Sequence, residues 1–355
     1  MKILTILGTR PEIIRLSRII PKLDSICDHR VFHTGQNYDR NLNDVFFDEL
    51  ELRKPDHIIS NEQSYFSVQL GKIFIGVESY VNQFKPDRVL VLGDTNSSLS
   101  AVIFERLGIP VYHMEAGNRC YDLKVPEEKN RRIIDTVSSI NLPYTWQSRE
   151  NLLREGYPNN QIYVTGNPIK EVIDYYQPKI DESNILADLG VEQGNYIIAT
   201  AHRAENVDID ERLISIFRAF EQISQEKQIV FSCHPRTRAR LDQFGINTNN
   251  PRIKIVEPLG FFDFVKLEQN SFMAITDSGT VQEEMCLFNI PTVTIRDTTE
   301  RPETVWCGSN IVSGLNSKNI VRCYEQAKTI PTDWTIPEGY DKSNVSDTVI
   351  NILSR

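Results

Sequence analysis

Five groups of polar residues have the types and spacing that acid–base chemistry or phosphate binding requires, and each follows a short apolar run. The first is Gly8-Thr9-Arg10-Pro11-Glu12, with Arg15 one turn further on. Glycine permits a sharp turn, a helix N-terminus attracts anions, and Arg10 and Arg15 are long enough to reach a phosphate. The pentapeptide is not G-x-G-x-x-G, so it implies no nicotinamide cofactor; the plain alternative is a βα turn with surface arginines. Gly93-Asp94-Thr95 is the second group, where the acid serves either as a helix cap or as a catalytic carboxylate. The third runs from His113 to Arg119 and continues with Pro126-Glu127-Glu128. Carboxylates brought close together, or desolvated, can act as acid and base near neutrality. Glu127 and Glu128 would also suit a helix dipole, but Glu115 follows a strand with apolar residues behind it, which favours a functional role.

The fourth group is His202-Arg203-Ala204-Glu205-Asn206, in which His202 can titrate near neutral pH or donate to a phosphate. His234, in Cys-His-Pro-Arg-Thr-Arg, is a weaker version of the same signal. The fifth is Thr276-Asp277-Ser278-Gly279-Thr280, leading into Gln282-Glu283-Glu284. Backbone N–H groups at a helix start, with the hydroxyls of Ser278 and Thr280, can cradle a pyrophosphate, and Glu284 a turn later can accept ribose hydroxyls. Arg296 to Glu303 follows, dense with charge directly after another apolar run. No Walker loop, metal-ligand cluster or nucleophile elbow competes with this pattern.

These groups need elements that hold them. Short β-rich runs alternate with amphipathic helical stretches, the mark of a parallel α/β fold. Strands are expected at Ile3–Leu7, Val31–His33, Val89–Leu92, Pro110–Met114 and Ile162–Val164, and after a restart at Tyr196–Thr200, Ile229–Ser232, Phe272–Thr276 and Thr292–Ile295. A polar stretch from Pro178 to Gly194 joins the two halves, and Val345–Leu353 is a helix expected to pack back on one of them. The reading is two Rossmann-like domains facing across a cleft, 1–167 with the helix at 340–355, and 168–339. Ligands of such sheets sit beyond the carboxyl ends of the strands, where all five groups fall.

The 355 residues carry 39 Lys+Arg against 48 Asp+Glu, a net charge of −9, which argues against a sequence-independent nucleic-acid binder. Charged residues make up 25% and hydrophobic ones 40%, as in globular proteins rather than disordered or fibrous ones. The six cysteines show no C-x-x-C and no close His spacing, so reduced thiols are expected rather than disulfides or a zinc site. With no signal-type h-region and no apolar run of about 20 residues, a cytoplasmic protein without membrane contact is expected.

Taken in order, Gly8–Glu12, Gly93–Thr95, Glu115-Ala116-Gly117, Pro126-Glu127-Glu128 with Asn130-Arg131, His202-Arg203, Thr276–Gly279, Gln282–Glu284 and Arg296–Glu303 resemble the non-hydrolysing UDP-N-acetylglucosamine 2-epimerase family. The resemblance implies a glycosyltransferase-B-like fold, a UDP-sugar substrate, no cofactor or metal, and a homodimer. It also implies a two-stage reaction: loss of the C2 proton with expulsion of UDP to give a glycal, then re-addition of UDP with the proton returned to the opposite face. Carried over by position, the catalytic acids fall on Asp94, Glu115 and Glu127, and the essential histidine on His202. Arg10, Ser278, Gly279 and Glu284 match UDP-binding positions, with Arg15, Arg203, Thr280 and Arg301 as further ligand contacts. Resemblance and spacing leave open which carboxylate takes the proton.

The chain departs from the common pattern in several places. Arg15 stands where Lys is usual, Asn37 ends a Thr34-Gly35-Gln36 stretch that usually ends in His, and Thr280 replaces a second glycine. The segment between Glu115 and Glu127 is about two residues shorter than usual. In bacterial relatives the Thr-Gly-Gln-His stretch helps bind a second, allosteric substrate. Together with His113–Cys120, these features resemble the capsule and O-antigen branch, which converts UDP-2-acetamido-2,6-dideoxy-L-talose to UDP-N-acetyl-L-fucosamine. UDP-N-acetylglucosamine to UDP-N-acetylmannosamine is the alternative; a UDP-sugar glycosyltransferase and a non-catalytic nucleotide-sugar sensor are the rival classes.

Overall fold

A computed structural model describes residues 1–36, 40–60 and 65–355. Asn37 therefore lies outside the described residues. The chain divides into two compact units, Met1–Tyr175 with Glu338–Arg355, and Tyr176–Pro337.

The first unit is built on six parallel strands: β1 (Lys2–Leu7), β2 (Asp28–His33), β3 (His57–Ile58), β4 (Arg88–Leu92), β5 (Val111–Met114) and β6 (Ile140–Leu142). Their spatial order is β3-β2-β1-β4-β5-β6. Strands covered on both faces need apolar residues in succession, and Ile3, Leu4, Ile6 and Leu7 of β1 are all fully buried. Ile73, Val77 and Val81 share one face of the helix Phe66–Phe84 and pack with Leu4, Ile6 and Phe32. The helix Val345–Leu353 buries Val345, Val349, Ile352 and Leu353. Glu171 receives the Ser346 backbone N–H at 2.8 Å and so anchors that helix on the first unit.

The second unit repeats the plan with β7 (Tyr196–Thr200), β8 (Gln228–Ser232), β9 (Ile253–Val256), β10 (Met273–Thr276), β11 (Thr292–Thr294) and β12 (Asn310–Val312). The order β12-β11-β10-β7-β8-β9 is the first unit's order read from the other side. Phe217, Phe220 and Phe231 fill its core, with the Phe217 and Phe231 rings edge-on at 5.4 Å. In each sheet the winding reverses between the first and fourth strands, β1 with β4 and β7 with β10, the place beyond which sheets of this kind bind their ligands.

Two sequence expectations need correction. Ile162–Val164 is not a strand: Ile162 makes a single bridge to Asn141. The Pro178–Gly194 stretch is largely helical, since Pro178 lies inside the helix Ile169–Glu182 and another helix spans Ile185–Leu189. Its polar residues are the exposed faces of these helices rather than a linker.

Candidate functional site

At the end of β1 the chain turns so tightly that a Cβ on Gly8 would lie 2.0 Å from Thr34 Oγ1 and 2.3 Å from Ser97 Oγ. Thr9 then caps the helix Arg10–Leu16 and shares a reciprocal capping arrangement with Glu12. One Glu12 oxygen accepts from Gly8 N (2.8 Å), Thr9 N (2.7 Å) and Thr9 Oγ1 (2.9 Å). Its other oxygen accepts from Thr95 Oγ1 at 2.8 Å, just past the end of β4. Burial pushes the Glu12 carboxyl up to about 7, an effect the four hydrogen bonds offset only in part. Gln36 reaches the same place, accepting from Ser97 N at 2.9 Å. Arg10 is exposed, with its guanidinium 5.5 Å from the Phe46 ring centre.

Asp94 follows β4 and is ion-paired with Arg131, which also reaches Glu128 at 3.2 Å. Asn130 holds the Asp94 carbonyl at 3.0 Å. Both Asn130 and Arg131 come from the helix Pro126–Val137, whose first turn contains half-buried Glu127. Glu115 follows β5 in the left-handed region, at φ 66, with its N–H donated to Leu142 O at 3.1 Å. Its carboxylate forms an ion pair with Arg15, and both side chains are buried.

Behind Glu115, Asp135 collects the His113 ring at 2.9 Å, Arg119 at 2.7 Å and the Gly117 N–H at 3.2 Å. Burial alone would raise the Asp135 carboxyl, but His113 and Arg119 outweigh it and hold the group below the ordinary carboxylate range. His113 Nε2 lies 2.9 Å from the Gly93 carbonyl, so the ends of β4 and β5 are tied together.

In the second unit the organiser is Asp277, at the end of β10 and fully buried. It accepts from His202 N (2.9 Å), Arg203 N (2.9 Å) and Asn206 Nδ2 (3.0 Å), and lies 3.1 Å from His202 Nδ1. Burial works against the charge, but His202 and Arg203 hold the Asp277 carboxyl far below its ordinary value. Engaging Nδ1 leaves Nε2 of the half-exposed His202 ring for a ligand. Arg203 pairs with Glu300 at 3.0 Å, and Glu300 with Arg296 at 2.6 Å.

Ser278 caps the helix Gly279–Leu287, its N–H donated to Thr276 Oγ1 at 2.9 Å and its hydroxyl 2.8 Å from Thr280 Oγ1. Gly279 admits its neighbours closely: a Cβ there would lie 2.9 Å from Glu300 Oε1 and 3.6 Å from the Arg301 guanidinium. Arg301 is ion-paired with Glu283, and Glu284 is buried on the same helix. A helix N-terminus with two hydroxyls and two arginines beside it is suited to a diphosphate.

Of the sequence-selected residues, Arg10, Asp94 and Glu115 closely follow β1, β4 and β5, His202 and Arg203 follow β7, and Ser278, Gly279 and Thr280 follow β10, whereas Arg15, Glu127 and Glu284 sit in helices and Arg301 in the segment after β11. The structure brings Arg15 onto Glu115 as an ion pair. Sequence reasoning passed over their holders, namely Glu12, Asp135, Asp277 as a side chain, Glu283 and Glu300. Each stood inside or near a polar group, but nothing in a linear pattern says which loop a carboxylate turns to face. Among the described residues no group of His, Cys, Asp and Glu is arranged to hold a metal ion. Nor is any described helix long and apolar enough to cross a membrane.

The family model for UDP-N-acetylglucosamine 2-epimerase matches residues 22–354. The chain belongs to the UDP-N-acetylglucosamine 2-epimerase family. It is accordingly an isomerase of UDP-sugars. A UDP-N-acetylglucosamine 2-epimerase of Methanocaldococcus jannaschii is 40% identical over 365 residues, covering 100% of this chain and 99% of that protein. The UDP-2,3-diacetamido-2,3-dideoxy-D-glucuronate 2-epimerase of Pseudomonas aeruginosa is 34% identical, covering 97% and 98%. The crystal structure of the Methanocaldococcus jannaschii epimerase in complex with UDP-GlcNAc and UDP superimposes with a TM-score of 0.95 at 39% identity, covering 100% and 99%. Membership of the epimerase family accounts for the repeated six-stranded parallel sheets.

Proposed function

We propose that this epimerase-family chain inverts C2 of a UDP-N-acetylhexosamine by elimination and re-addition of UDP. One observation carries the reading: the adjacent strands β4 and β5 end in two carboxylates, Asp94 and Glu115, each ion-paired with an arginine. Asp94, Glu115 and Glu127 supply the base that takes the C2 proton and the acid that returns one to the opposite face. As the C2–H bond breaks, the C1–oxygen bond to UDP breaks too, and a C1–C2 double bond forms. Both the proton and UDP return, so the reaction is redox-neutral and needs no electron carrier. Ser278, Gly279 and Thr280 hold the diphosphate, with Arg10, Arg15, Arg203 and Arg301 as further ligand contacts and Glu284 toward the ribose. His202, oriented by Asp277, stabilises the leaving group.

UDP-N-acetylglucosamine is the first substrate to test, since relatives at 40% and 39% identity carry that sugar in their names. UDP-2-acetamido-2,6-dideoxy-L-talose is the second, favoured by Arg15 and by Thr280 beside the diphosphate position. Incubation with each UDP-sugar in deuterated water decides. Deuterium at C2 without an acceptor supports epimerisation, its absence for every sugar refutes it, and the faster-exchanging sugar names the substrate. Activity only with an acceptor would indicate a glycosyltransferase, and binding without exchange a sensor. The homodimer implied by the family resemblance is tested by sedimentation of the purified chain.

A further inference from the structure

The pair Glu12 and Thr95 bridges β1 and β4, the two neighbouring strands between which the first sheet reverses its winding. Arg10 opens the helix that follows the β1 turn, and Asp94 lies on the turn after β4. Three donors from the first turn (Gly8 N, Thr9 N, Thr9 Oγ1) and one from the second (Thr95 Oγ1) all end on one carboxyl group that is 1% exposed. We infer that Glu12 is a positioning residue of the epimerase site, its buried carboxyl fixing the Arg10 turn relative to the Asp94 turn. The inference rests on the proposed function, in which Arg10 contacts the ligand and Asp94 takes part in proton transfer.

Three physical points support this. First, the bridge acts on the residue next to each functional one: Thr9 precedes Arg10, and Thr95 follows Asp94. Asp94 is also held by Asn130 on its carbonyl and Arg131 on its carboxylate, and Thr95 gives Glu12 a grip on the residue that follows it. Second, the span is set by side-chain length. An aspartate, one methylene shorter, cannot keep both the Gly8–Thr9 donors and Thr95 within hydrogen-bond reach. A glutamine can: its amide oxygen takes the three donors of the first turn, while its NH2 donates to the Thr95 hydroxyl, which is able to accept.

Third, the hydrogen bonds of the carboxyl go to Gly8, Thr9 and Thr95, the neighbours of Arg10 and Asp94, so it acts on the reaction by placement. Burial raises the carboxyl to about 7, so its ionised form opposes folding at neutral pH, and a glutamine that keeps the same bridge avoids that cost.

Variants E12D, E12Q and T95V of the full-length chain test this by kcat and KM for C2 exchange, UDP affinity by calorimetry, and melting temperature. A misplacement of about 1 Å costs up to roughly 100-fold in rate. E12D and T95V are therefore expected to lower kcat by roughly 10- to 100-fold, with KM and UDP affinity within about 3-fold of wild type. E12Q is expected to recover kcat to within about 5-fold of wild type. T95V leaves the carboxyl and its three other bonds in place, so it reports even if E12D fails to fold. Wild-type kcat in T95V or in folded E12D would overturn the inference. So would an E12Q as slow as E12D, because charge rather than placement would then matter. The proposed function fails separately: the wild-type chain would show no exchange on any UDP-sugar, or D94N would exchange at the wild-type rate.

Discussion

Arg15 and Glu115 stand 100 residues apart in the sequence and meet as an ion pair with side chains only 2% and 6% exposed. Arg15 also lies over the Tyr144 ring, 5.7 Å from its centre. Removing one partner of a buried pair leaves the other charge uncompensated, which costs about 3–5 kcal/mol. Arg15→Met should therefore destabilise the first unit by an amount of that order, read from urea unfolding. Arg15→Lys keeps the charge but loses the planar fork and most of the ring contact, so a smaller loss is expected. If Arg15→Met unfolds at the wild-type urea midpoint, the pair does not hold Glu115.

Two buried carboxyls give stability opposite slopes with pH. For Glu12 the folded-state value near 7 is above its ordinary 4.5, so between these values the folded chain binds more protons than the unfolded one. Stability should fall as pH rises through that window, by about 3 kcal/mol in all. Glu12→Gln should flatten this slope. Asp277 is depressed instead, so its contribution is present at neutral pH and lost as pH falls below its ordinary 3.8. Melting curves from pH 3 to 8, wild type against Glu12→Gln, check both signs, with pH 3 and 8 as the approximate limits of the scan.

Gly279→Ala should separate binding from folding. The new Cβ would press Glu300 Oε1 at 2.9 Å and meet the Arg301 guanidinium at 3.6 Å, beside the expected diphosphate position. Alanine also favours a helix over glycine by up to about 1 kcal/mol. UDP affinity is expected to fall roughly 10-fold, about 1.4 kcal/mol, with no drop in melting temperature. Calorimetry showing unchanged affinity would remove Gly279 from the diphosphate site.

At Gly117 the expected result is the reverse. Its φ is 78, and a Cβ would lie 2.2 Å from the Ser148 carbonyl oxygen, which is backbone and cannot rotate away. Gly117→Ala should cost more than about 2 kcal/mol and lower the melting temperature of the first unit.

Cys307 should be the thiol that reacts before Cys27, Cys233 and Cys323. Contact with Cys286, whose sulfur is 3.7 Å away, pulls the Cys307 thiol below its ordinary value, whereas burial raises the other three. Limited iodoacetamide labelling at neutral pH, read by peptide mass, checks the order.

The central strands were legible because burial on both faces demands unbroken apolar runs, as in Ile3–Leu7 and Tyr196–Thr200. The strands missed were His57–Ile58, Ile140–Leu142, Ile253–Val256 and Asn310–Val312, and they are the four sheet edges. Edge strands are short and need less apolar sequence, so His57, Asn141, Lys254 and Asn310 diluted the signal. The placement of Asp94, Glu115, His202 and Ser278 after strands was legible, because the apolar runs of a parallel sheet mark where each strand stops. The pairings were not. That Glu12 faces Thr95, or Asp277 faces His202, depends on which strands become neighbours, and distant segments decide that.

The helix Val345–Leu353 belongs to the first unit but is encoded after the whole of the second. During synthesis, Glu171 and Lys22 must wait for Ser346 and Asp347 at least while the roughly 160 residues of the second unit are made, about 8–30 s at ordinary translation rates. The second unit is contiguous and can complete its sheet in that interval. The ribosome thus delivers the half that begins first as the half that is finished last, and loss of the final 18 residues would leave a completed second unit beside an unfinished first.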